Sequence, residues 1–258
     1  LGGEAQLVGR SHECDFPEEV GELPVCTEPK VDPLGDSETI HRSVSALLAQ
    51  TLSVYRVDAE RLRELAPTHV VTQVQCEVCA VSLEDVEAAL SGWTAARPRL
   101  TPLNPGSLAD VFDDIRRVAS ALDAAARGER LVATMTKRMF AIAAATGALG
   151  QRPRVATIEW LSPLMTAGNW MPELVAMAGG TDLFGGAGSH SAWIGWDELR
   201  AADPDVIIAF PCGFALERVR REIGVLTSLP GWSRLRAVAA GRVYLAEGNQ
   251  YFNRPGPR

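Results

Sequence analysis

Short apolar runs in the first hundred positions alternate with stretches whose apolar residues recur every three or four places. Runs of the first kind predict strands over 6–9, 24–26, 52–55, 69–72 and 99–101, because each is bounded by turn-forming or polar residues. The spacing of Ile40, Val44 and Leu47 behind Ser37, a good N-cap residue, predicts a helix over 37–52, and a second helix follows over 59–65. Strands alternating with helices in this way are the pattern of a parallel sheet with crossover helices.

The alternation breaks after Leu108, where two helical patterns, 108–122 and 129–147, follow one another with no strand between. At 1.5 Å per residue the second would be about 28 Å long, the width of a small lobe, so it reads as a strut. Beyond Gly150 the alternation resumes, with strands over 154–158, 205–209 and 242–245 and helices over 170–178 and 196–202. The fold class expected is α/β, two Rossmann-like lobes joined by a single long helix. The N-terminal lobe is residues 1–107, the connecting helices are 108–149 and the C-terminal lobe is 150–258.

Composition narrows the function. A length of 258 residues accommodates two modest lobes, and a hydrophobic fraction of 47% gives each a core. The net charge is −7, with no run of Lys and Arg, which argues against nucleic acid as a partner. No stretch approaches the roughly 20 apolar residues of a membrane helix. The chain opens at Leu1 with neither Met nor a basic and apolar leader, which leaves its compartment open at this point. Five cysteines are too few and too scattered to form a disulfide framework, so each is judged by its position.

Ligands of open α/β sheets bind outside the carboxyl ends of the strands. Four loops follow strands there. The first carries His12, Glu13, Cys14 and Asp15, and the second carries Gln75, Cys76, Glu77 and Cys79. The third carries Glu159 and Trp160, and the fourth carries Cys212. Taken singly, His12 and Glu13 read as solvated loop residues beside a turn, and Cys26 as core. The Cys76–x–x–Cys79 spacing suits a redox or zinc pair and equally a reduced, structural pair, since one pair supplies only half of a zinc shell. With Cys14 and Cys212, three or four sulfurs could meet in one cleft. Asn169, Trp170 and Trp193, together with Trp160, place polar and aromatic surface in the second lobe's loops, which suits a large flat apolar ligand. The default for any one tryptophan is core packing. The glycines at 179–180 and 185–188 lack the form of a phosphate loop, and the first pair reads as a helix C-cap. There is no G-x-S-x-G elbow, H-E-x-x-H pair or dinucleotide fingerprint.

Taken together, the segment 11–17, the segment 75–82, Gly179-Gly180 after a helix, Asp203-Pro204-Asp205 before a strand, and the Asn-Arg-Pro-Gly-Pro-Arg ending at 253–258 resemble the cobalamin-binding branch of the class III ABC substrate-binding proteins. The resemblance runs the length of the chain. It implies two lobes joined by one long helix, limited hinge motion, and a ligand held in the interlobe cleft without chemistry. The implied ligand is a corrinoid, with haem and ferric siderophores as alternatives. The rival class is an enzyme that uses the cysteines or a metal in an interlobe active site. The resemblance also implies a monomer that works with an ABC permease and its ATPase, with no cofactor and no resident metal. It assigns ligand-covering aromatic roles to Trp160, Trp170 and Trp193, and permease docking to Glu84 and Asp197 or Glu198. Such proteins work outside the cytoplasmic membrane; the leaderless start adds a cytoplasmic corrinoid-handling role as a further expectation.

Overall fold

A computed structural model of the chain describes residues 1–50, 53–74, 81, 83–91, 93 and 97–253. These group into two compact units. The first comprises Leu1–Gly35, Thr39–Asn104 and Phe112–Val132, and the second comprises Asp36–Glu38, Pro105–Val111 and Ala133–Arg258.

In the first unit β1 (Thr27–Pro29) pairs antiparallel with β2 (Tyr55–Val57). Strand β3 (His69–Gln73) pairs parallel with β4 (Arg99–Leu103), His69 opposite Arg99 and Gln73 opposite Leu103. Helices α2 (Ala59–Leu65) and α3 (Leu83–Ser91) belong to the same unit, as do α1 (Ser37–Leu48) from Thr39 and α4 (Leu108–Ala121) from Phe112. Val54, Tyr55, Val81, Val86 and Leu90 form a buried cluster, with Val44, Leu48, Val70 and Leu100 packed on it.

Several expectations shift in this unit. Residues 6–9 form no strand: Leu7 and Val8 are exposed, and only Arg10 bridges to Val25. The strand expected at 52–55 runs instead over Tyr55–Val57. It ends there because Asp58 turns the chain, its carboxylate accepting the Arg61 N–H at 2.9 Å as the N-cap of α2. Helix α3 was not anticipated, although Val86, Ala89 and Leu90, the residues it buries, have helical spacing.

The long helix α5 (Ala125–Gly147) begins four residues before the expected start. Gly128 lies inside it where α4 crosses too closely for a side chain: a Cβ there would meet the Ala119 Cβ at 2.5 Å. Residues of α5 up to Val132 group with the first unit and those from Ala133 with the second, so the chain passes between units within this helix.

The second unit is built on one sheet of order β10–β9–β5–β6–β8. Strands β5 (Arg154–Trp160), β9 (Val206–Ala209) and β10 (Val243–Leu245) are parallel, as the pattern predicts. The short strands β6 (Met165–Thr166), β7 (Thr181–Asp182) and β8 (Ala192–Trp193) were not anticipated. Strand β7 extends the parallel set beside the start of β5, whereas β6 and β8 add antiparallel at its carboxyl end. Two-residue strands carry too little pattern to stand out from loop.

Helices α6 (Met171–Met177), α7 (Trp196–Ala202), α8 (Leu216–Glu222), α9 (Gly224–Thr227), α10 (Arg236–Ala239) and α11 (Gly248–Tyr251) complete the unit. Its core gathers Ala156, Ile158, Leu161, Leu199, Ile207, Ala209, Leu226 and Leu235, all nearly inaccessible.

Two sequence motifs find structural roles here. Gly179, at φ +85°, ends α6 as expected, with the Gly180 N–H returning to Val175 O at 2.9 Å. Thr146 Oγ1 donates to Met177 O at 2.7 Å and so ties the end of α5 to α6. The Asp203-Pro204-Asp205 motif is a clamp for Arg236. Asp203 accepts both the backbone N–H and the Nε of Arg236 at 2.8 Å, and Asp205 meets its Nη1 at 2.9 Å. The Arg236 N–H, more than any other group, holds the Asp203 carboxyl below its usual range. Asp205 also accepts the Arg154 N–H, fastening β5 to the turn before β9.

Candidate functional site

The carboxyl ends of β5 and β9 carry the second unit's unusual residues. Glu159 sits near the end of β5, and its backbone carbonyl accepts the Cys212 N–H at 3.1 Å, which joins the two strand ends. The residue is half-buried. It accepts the Ser191 hydroxyl at 2.7 Å, and the Asn253 side chain bonds to it as well. Burial pushes the carboxyl above its ordinary range, and those two bonds only partly oppose it.

Trp160 follows. Its indole N–H is shared between Ser37 O at 3.2 Å and Ser162 O at 3.1 Å, and its ring lies 5.3 Å from that of Phe214. The Arg218 guanidinium stacks on the opposite partner, 3.6 Å from the Phe214 centroid, and pairs with Glu222 at 2.9 Å. Glu222 in turn accepts the Ser37 N–H, so the indole and this ion pair are braced together.

A second loop pair completes this edge. Asn169 takes a left-handed φ of +52°; its N–H donates to Ser189 O at 2.6 Å and its carbonyl accepts the Gly188 N–H. The Gly168 N–H donates to Ser191 Oγ at 3.1 Å. Segment 167–169 and segment 185–191 therefore lie side by side, and the Ser191 hydroxyl links them to Glu159.

The expected residues divide. Glu159, Trp160, Asn169 and Cys212 are brought to one edge, and Trp193 stands beside them on β8 with 53% of its surface exposed. Trp170 does not present a face: it is buried before α6, and its indole N–H is spent on Phe252 O at 2.9 Å. It packs behind that edge. Cys212 is half-buried.

In the first unit, segment 11–15 is shaped by a residue that the sequence reading missed. The Arg10 guanidinium donates to the carbonyls of Ser11, Cys14, Gly21 and Leu23 at 3.1–3.3 Å, folding the loop around itself. Only its position directly before the motif signalled this. His12 is partly buried; its Nδ1 lies 2.7 Å from Thr27 Oγ1, and its ring packs 5.3 Å from Tyr55. Glu13, Cys14 and Asp15 are exposed, and Cys14 is a free thiol. Cys26 is buried, and desolvation raises its thiol pKa, as befits a core position. Gln75, Cys76, Glu77 and Cys79 lie outside the described residues, and with them the expected meeting of Cys14, Cys76 and Cys79. Glu84 is exposed in the first turn of α3, and Asp197 and Glu198 in the first turn of α7.

A parallel α/β unit with a polar and aromatic carboxyl edge, entered through a long helix, has the build of a solute-binding protein. Comparison with known proteins agrees. The family model described as periplasmic binding protein matches residues 1–249, and the chain belongs to that family. Its fold is that of the class III members. An ABC transporter substrate-binding protein from Listeria monocytogenes is similar at 20% identity, covering 95% of this chain and 83% of that one, with a TM-score of 0.64. The periplasmic heme-binding protein RhuT from Roseiflexus is 23% identical, with coverages of 93% and 81% and a TM-score of 0.65. The periplasmic vitamin B12 binding protein BtuF of Vibrio cholerae is 16% identical, with coverages of 97% and 82% and a TM-score of 0.63. No curated protein matches. Among the described residues no helix is long and apolar enough to cross a membrane.

Proposed function

We propose that this chain is the ligand-capturing component of an ABC importer, acting outside the cytoplasmic membrane with a permease and its ATPase, and that it holds a corrinoid of the cobalamin class without altering it. In this reading residues 1–107 and 150–258 serve as the lobes and 108–149 as their connector. Trp160, Asn169, Trp193 and Cys212 meet the ligand from the second lobe and segment 12–15 from the first, with Glu84 and Asp197 or Glu198 left to engage the permease.

The observation that carries the reading is Trp193. A large indole held half exposed on a short strand, at the edge where this class of sheet binds ligands, suits the apolar face of a macrocycle. The acidic and neutral character of the strand-end loops favours such a ligand over an anionic ferric siderophore. Similarity in fold to the vitamin B12 binding protein of Vibrio cholerae supports this reading. Haem is the second reading, favoured by His12. Thr27 fixes one ring nitrogen, which orients an imidazole as axial ligation of iron requires. The heme-binding relative from Roseiflexus supports that alternative.

Titration of the full chain with cobalamin, haem and a ferric siderophore, followed by tryptophan fluorescence, tests the proposal. Saturable quenching is expected with cobalamin. Its absence, with quenching by haem alone and loss of that response in His12→Ala, would replace the corrinoid reading with the haem one.

A further inference from the structure

The strand register defines one face of the antiparallel end of the second unit's sheet. β8 pairs with β6 so that Trp193 stands opposite Met165 and Ala192 opposite Thr166. β6 pairs in turn with β5, Met165 opposite Trp160 and Thr166 opposite Ile158. Opposed residues of an antiparallel pair point to one face, with Cβ atoms about 4.5–5.5 Å apart. Ile158 and Thr166 are fully buried, so theirs is the inner face. From that pair to the next, β5 advances two residues and β6 only one, a register shift at Glu159. Shifts of this kind re-aim side chains. Ser191 lies two residues before Trp193, on the same side of the chain, and its hydroxyl donates to Glu159 at 2.7 Å. The shift therefore turns Glu159 and Trp160 to the face that carries Trp193.

Met165 thus holds the middle of a cross-strand row, Trp160–Met165–Trp193, on the outer face. It is half-buried, and among the described residues it is not part of the unit's main apolar core, whereas its neighbour Leu164 is. A thioether is unbranched and polarizable and packs well against aromatic rings. We propose that Met165 is a ligand-contacting, specificity-determining residue, a role that rests on the corrinoid reading of this edge. Its side chain fills the space between the indoles of Trp160 and Trp193 and makes of the three one apolar platform for the face of a macrocycle. Three rotatable bonds let the thioether follow a puckered ring and its methyl substituents, which a stiff β-branched side chain would not.

Oxidation mapping of the full chain, with and without saturating cyanocobalamin, tests the role. Hydrogen peroxide converts an accessible thioether to its sulfoxide, and peptide mass spectrometry reads each methionine separately. Met135, Met139 and Met177 are half-buried like Met165 and lie on α5 and α6, so they serve as internal controls. Bound cyanocobalamin is expected to slow oxidation of Met165 severalfold and to leave the controls unchanged. Met165→Ala should bind cyanocobalamin about tenfold more weakly, through loss of the sulfur–aromatic contacts, with little change in melting midpoint. The proposal fails if Met165 oxidises equally fast in both states, or if M165A binds as the wild type does. Should M165A not fold, the wild-type oxidation map decides. Uptake is read first, by tryptophan quenching: a chain that takes up no cyanocobalamin refutes the corrinoid reading and this role with it. Uptake without protection of Met165 refutes the role alone.

Discussion

Gly168→Ala probes the packing that holds the candidate site together. A Cβ at this position would lie 2.6 Å from both His190 C and Ser191 N and still closer to Ser189 O, all of them backbone atoms of the facing loop. No side-chain rotamer can relieve such a contact, so one loop must move. Forced backbone shifts of this kind cost about 1–3 kcal/mol. The movement also strains the Gly168 N–H bond to Ser191 Oγ and, through Ser191, the hydroxyl contact to Glu159. Gly224→Ala is the matched control: nothing lies within 4 Å of its added Cβ, and Ala is the better helix former, so its stability should stay within about 0.5 kcal/mol of wild type or rise. Urea unfolding followed by tryptophan fluorescence measures both. At about 2–4 °C per kcal/mol for a chain of this size, melting should fall by several degrees in G168A only. Wild-type stability in G168A would refute the close approach of segments 167–169 and 185–191.

Thr146→Val removes the hydroxyl that joins α5 to α6 and should cost about 1 kcal/mol in urea unfolding. Asp203→Asn tests the Arg236 clamp by pH. Because the folded carboxyl titrates lower than the unfolded one, its contribution is present above the unfolded pKa and lost as pH falls through the folded value; acid unfolding of the variant should begin at higher pH than in wild type, and an unchanged acid midpoint would contradict the clamp. Trp193→Ala should weaken corrinoid binding by about 2 kcal/mol or more, roughly 30-fold in a fluorescence titration, while leaving the melting midpoint nearly unchanged because the ring is half exposed.

How far the sequence could be read depended on how much of each element was set by local pattern. β5, β9 and α7 were legible because their apolar positions and turn residues agree with the core they enter. Residues 6–9 misled because an apolar run marks burial only when a partner covers it, and Leu7 and Val8 have none large enough to hide them. The first turn of α5 was not legible because it carries Gly128 at a close helix crossing, a tertiary demand that no local rule reports. At the candidate site, the strand-end rule located Glu159 and Cys212, since topology alone puts them there. It could not separate Trp170 from Trp193: both follow helical or turn residues, and only the packing shows one ring buried with its N–H spent and the other half open. Arg10 was overlooked as an actor because its partners are backbone carbonyls, which leave no mark in the sequence.

The measurement closest to the central claim is equilibrium binding of cobalamin to the full chain by isothermal titration, with the absorption spectrum and mass of the recovered ligand taken afterwards. Saturable one-to-one binding and return of unchanged cobalamin is the predicted result. A ligand returned chemically modified, or no heat and no retention of cobalamin at concentrations where haem binds, would contradict a corrinoid-capturing protein.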